Sequence, residues 1–85
     1  MKITYNNREY IIPPPLDKCY FGSVPTRMIR VMNPHDERTC VLPSFAVSIY
    51  QKILETNMTL DDDLREEGMI WFEKNFNKEY FILLD

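Results

Sequence analysis

Apolar and polar positions alternate over Lys2 to Tyr5, where Ile3 and Tyr5 share one face, and a second short run follows over Glu9 to Ile12, with Asn6-Asn7 between them. A period of two is that of a half-buried strand, and asparagine tolerates the positive φ of a tight turn, so these residues predict a first β-hairpin. Pro13-Pro14-Pro15 removes three backbone donors and must end the second strand, leaving an extended, rigid linker packed on aromatics. A polyproline ligand for an SH3- or WW-like groove would instead carry P-x-x-P with basic flanks, which are absent. Residues 16–25 read as a packed loop. Thr26 to Met32 sets Arg27, Ile29 and Val31 against Met28, Arg30 and Met32. With the turn Asn33-Pro34-His35-Asp36 and a return strand over Thr39 to Leu42, this predicts a second hairpin.

The period changes after Pro43. Ala46, Ile49, Tyr50, Ile53 and Leu54 recur at helical spacing, predicting a helix over Phe45 to Glu55 behind Ser44 as N-cap and ended by Thr56-Asn57. A second helix, capped by Thr59 or Asp61, should run to about Phe76. Asp62 stands in a capping-box-like position to Thr59, and Asn77 serves as the C-terminal cap. The apolar stripe of this helix is Leu64, Trp71, Phe72 and Phe76, and Gly68 on the same stripe marks a close approach by a neighbour. The unbroken run Tyr80 to Leu84 predicts a final strand over Glu79 to Leu84, covered on both faces and central in the sheet. The expected fold is α+β: one domain over residues 1–85, with a mostly antiparallel sheet of about five strands in the order ββ-ββ-αα-β and two helices packed on it.

Eighty-five residues, 45% hydrophobic and 27% charged, are enough for one folded core and no more. No apolar run approaches membrane-helix length, and Met1 to Asn7 lacks the pattern of a secretory signal, so the expectation is a cytoplasmic chain with Cys19 and Cys40 as free thiols. The net charge of −3 is uneven. Residues 1–42 hold six basic and four acidic side chains, and residues 43–85 hold four basic and nine acidic ones. Nucleic acid is a poor partner for such a chain, and a protein with a basic surface is a better one.

The strongest polar feature is Asp61, Asp62, Asp63, Glu66 and Glu67, interrupted by Arg65. Acids in a first helical turn are favoured by the helix dipole and need no further role. The same acids can form a docking surface for a basic partner, whereas a calcium loop would need spaced oxygen ligands and a turn glycine. Cys19, His35 and Cys40, with Asp36, could be imagined as zinc ligands or a thiol–imidazole pair, but no C-x-x-C spacing announces a metal site. Only Gly22 and Gly68 are present, so there is no glycine-rich phosphate loop.

Eleven aromatic side chains are many for so small a core, and any left outside would point to a homodimer or another bound chain. The function expected is that of a non-catalytic intracellular interaction module without cofactor or metal. It would be a regulator or inhibitor, by analogy with compact phage and mobile-element chains, that sets the acidic helix and adjacent aromatics on a basic partner. The alternatives are a small metal-dependent or thiol enzyme using Cys19, His35 and Cys40, and nucleic-acid binding through Arg27, Arg30 and Arg38.

Overall fold

Both hairpins form. In the computed structural model, which describes residues 1–84, β1 (Lys2–Tyr5) pairs antiparallel with β2 (Arg8–Ile11), Ile3 facing Tyr10 across the ladder. Asn6 and Asn7 take φ of 52° and 61°, as the tight turn demands. β3 (Met28–Met32) pairs antiparallel with β4 (Thr39–Pro43), Arg30 facing Val41.

The three prolines do not run on as an extended linker. Pro15 has φ −88° and ψ 3° and leads into a single 3-10 turn, Leu16–Lys18. The pyrrolidine ring fixes φ but leaves ψ to the surroundings, and burial of Leu16 in the core selects the turn.

α1 spans Ser44–Thr59. Pro43 rather than Ser44 occupies the cap position. The Ser44 amide is taken by the Arg27 carbonyl at 2.7 Å, and its hydroxyl donates to Phe21 O at 3.4 Å. The helix passes through Thr56-Asn57 because Thr56 is buried and its hydroxyl donates to the Ile53 carbonyl. It stops where Leu60 turns left-handed at φ 58°. α2 spans Asp62–Asn75 behind Asp61, and α3 spans Asn77–Leu83.

The C-terminal segment is thus a helix, correcting the expected strand over Glu79 to Leu84. A continuous apolar run has no period of its own. Here the choice falls to helical spacing: Phe76 and Leu83 are buried, Tyr80 is half-buried between them, and Phe81 faces out. Phe76, at φ −136° and ψ 59°, breaks α2 from α3, so Asn77 opens a helix instead of closing one. Without a central strand the hairpins stay separate. The expected five-strand sheet is replaced by two antiparallel two-stranded sheets packed with three helices, and the α+β class is kept.

Phe45, fully buried at the start of α1, centres the core. Tyr5, Tyr10, Trp71 and Phe76 all lie within 6.3 Å of its ring, and Tyr10 stacks on Phe76 at 5.3 Å. Most aromatics fit inside; Tyr20 and Phe81 are the two that stand exposed. Two hydrogen bonds fasten the hairpins to the helices. Trp71 Nε1 donates to the Ile11 carbonyl at 2.8 Å, and Asn33 Nδ2 donates to the Ile82 carbonyl at 2.8 Å. Gly68 lets α2 lie against α1, since a Cβ there would sit 2.7 Å from Ile53 Cγ1. No helix among the described residues is long and apolar enough to cross a membrane.

Candidate functional site

The acidic run divides by role once it is wound into α2. Asp61 Oδ1 accepts the Leu64 amide at 3.1 Å, so this carboxylate caps the helix. The capping box from Thr59 does not form, because Thr59 is the last residue of α1. The other four acids are exposed, and none of them is in an ion pair among the described residues.

At 100° per residue, Asp62, Glu66 and Glu73 fall on one side of α2 and Glu67 on the next. The first side walls a groove of about 630 Å³ between α2 and α3, where Asp62, Glu66 and Glu73 surround Met69, Ile70 and Tyr80. The second side walls a groove of about 430 Å³ against β2, lined by Arg8, Ile11, Glu67, Ile70, Trp71 and Lys74. Asp63 lines neither of these two grooves.

Ile70 belongs to both grooves and is 60% exposed, an apolar ridge with carboxylates on either side. Ile11 across the second groove is as open, at 61%. Arg65 and Lys74 temper the charge, yet from Asp61 to Asn75 there are six carboxylates against these two bases. Such a face suits an apolar surface with basic groups at its margin.

The structure does not bring Cys19, His35 and Cys40 together. Cys19 follows the 3-10 turn, Cys40 lies on the inward face of β4, and His35 is exposed in the β3–β4 turn with its amide donated to Asn33 Oδ1 at 2.8 Å. Among the described residues no group of three or more His, Cys, Asp or Glu side chains is placed to hold a metal ion. Burial pushes both thiols above their ordinary range, with Lys52 opposing and Glu55 and Asp17 adding at Cys19, and Glu79 adding at Cys40. Thiols held protonated are poor nucleophiles.

The three arginines of the second hairpin separate as well. Arg38 pairs with Asp36, whose carboxyl is held below its ordinary range first by the Arg38 backbone N–H and then by the guanidinium. Arg27 and Arg30 are exposed, without an ion pair among the described residues.

Sequence pattern alone passed over Ile70 and Tyr80. The signal was present in Met69 to Phe72, four consecutive apolar residues on a helix that buries one face, so at least one of them had to face out. Tyr80 was hidden by its assignment to a strand. Comparison with known protein families, with curated proteins and with solved structures found nothing that matches this chain.

Proposed function

We propose that this chain is a non-catalytic protein-interaction module that docks the outer face of α2 on a partner of complementary, basic character. The observation that carries the reading is the exposed ridge of Ile70, flanked by Asp62, Glu66 and Glu73 on one side and Glu67 on the other. An apolar ridge supplies area to bury, and carboxylates around it, without an ion pair among the described residues, supply orientation and rate of encounter. Covering a basic surface of another protein in this way would make the chain a regulator or inhibitor of that protein.

The test is capture of partners by tagged wild type beside two variants, Ile70→Asp and Asp62→Asn/Glu66→Gln/Glu73→Gln, with folding checked by circular dichroism. Asp61 is left intact because it caps the helix. The expected result is one protein enriched by wild type and lost by both folded variants. Recovery of the same protein by both variants would overturn the reading.

A further inference from the structure

The β3–β4 hairpin carries a second open surface. Alternation places Met28, Arg30 and Met32 of β3 with Thr39 and Val41 of β4 on its outward face, while Ile29, Val31 and Cys40 pack against the core. Met28, Met32 and Val41 are 49%, 55% and 48% exposed. Val41 sits directly opposite Arg30, so a guanidinium without an ion pair among the described residues rises from the middle of this apolar strip.

Charge decides what fits it. Two hairpins stacked face to face would bring Arg30 of each copy against the other's, an arrangement that like charge disfavours. The α2 face is acidic on balance: the apolar pair Met69 and Ile70 lies among Asp62, Glu66 and Glu73, with Arg65 and Lys74 the two bases of the same groove. We propose that the occupant of the α2 face is the outward β3–β4 face of a second copy of this chain. Met28, Met32 and Val41 then cover Ile70 and Met69, and Arg30 meets Glu66 and Glu73. This rests on the reading of α2 as a docking face, and puts a second copy of the chain there in place of a foreign protein.

Two different surfaces of the same molecule pair in this contact. It is therefore heterologous and repeats from copy to copy as a ring or short chain. Each face offers only a few side chains against the roughly 20–30 residues a side of a standard stable interface, so association is weak, roughly micromolar to millimolar.

The experiment is sedimentation equilibrium of the full chain up to about 1 mM at low and high salt, with Arg30→Glu and Ile70→Glu, two exposed positions at which folding is confirmed by circular dichroism. Wild type is expected to gain mass with concentration and to lose it at high salt, and each variant alone is expected to be a monomer. An equimolar mixture of the two variants forms a 1:1 pair, because the intact hairpin of one meets the intact α2 of the other. Self-association of Ile70→Glu but not of Arg30→Glu would show a face-to-face hairpin dimer and overturn the proposal. A wild type that stays monomeric at every concentration also overturns it, and if that wild type still captures a foreign protein through α2, the interaction reading stands without the self-docking.

Discussion

The side-chain amide of Asn33, at the end of the second hairpin, donates through Nδ2 to the carbonyl oxygen of Ile82, 49 residues away and 2.8 Å distant, while its Oδ1 accepts the His35 amide. Ile82 lies in the last turn of α3, where backbone carbonyls have no partner within the helix, so Asn33 caps α3 from another element. A seven-residue helix cannot hold itself together in water. Its stability comes from such contacts and from burial of Leu83.

Asn33→Ala leaves that carbonyl unsatisfied in a partly buried place and undoes the turn at His35. A loss of about 2 kcal/mol is expected in denaturant unfolding, with faster hydrogen exchange at the amides of α3. Unchanged exchange in α3 would show that its packing alone holds it.

Gly68→Ala sets two effects against each other. Alanine favours the helix by about 1 kcal/mol, but its Cβ would lie 2.7 Å from Ile53 Cγ1 and 3.2 Å from Cδ1. Those atoms belong to a β-branched side chain that is 97% buried, since only 3% is exposed, so the clash should win and cost about 1–2 kcal/mol net. In an Ile53→Ala background the substitution should become neutral or stabilising, a coupling that a double-mutant cycle measures directly.

The acids of α2 should separate into one that stabilises and others that do not. Asp61→Ala removes the acceptor for the Leu64 amide and is expected to lower stability by about 1 kcal/mol. Asp62→Ala and Asp63→Ala, both exposed and without an ion pair among the described residues, should stay within about 0.5 kcal/mol of wild type. Equal losses at all three positions would mean that dipole charge, rather than the cap, matters in this turn.

Cys19, Cys40 and Tyr50 are all shifted upward, burial being the first cause at each. The folded state therefore holds these protons more tightly than the unfolded chain, whose groups ionise around their ordinary values of 9.0 for the thiols and 10.0 for the phenol. Their contribution to stability is complete below about pH 9 and is lost as the pH rises through the folded values. Thermal unfolding should show a falling Tm above pH 9 under reducing conditions. The early part of the fall should flatten in Cys19→Ser/Cys40→Ser, and an unchanged curve in that variant would assign the loss to other groups.

Local pattern was enough for the elements whose information is short-ranged. The Asn6-Asn7 turn, the alternation around Ile29 and Val31, the helical spacing of Ala46, Ile49, Tyr50 and Ile53, and the cap at Asp61 each depend on residues a few positions apart. The close approach at Gly68 was legible for a related reason: a glycine on an apolar helical stripe has few other uses. The carboxylates offered as a site do lie on α2. Their division into a cap, two groove walls and a bystander follows from helical geometry combined with the positions of β2 and α3.

Tyr80 to Leu84 marks where local pattern stopped. Five apolar residues in a row satisfy a buried strand and a helix equally well, and the decision rests on contacts distant in sequence: Asn33 capping Ile82, and Leu83 and Tyr80 packing toward a core centred on Phe45. Once that segment is helical, neither hairpin gains a third strand. The outward face of β3–β4 with Met28, Met32 and Val41 then stays open, as does the ridge at Ile70. The sequence by itself determined the two hairpins, the two long helices and the acidic character of α2, because each is written in the period and chemistry of neighbouring residues. Only the tertiary structure decided the C-terminal helix and the two open faces, because which side of an element meets solvent depends on what packs against the other side.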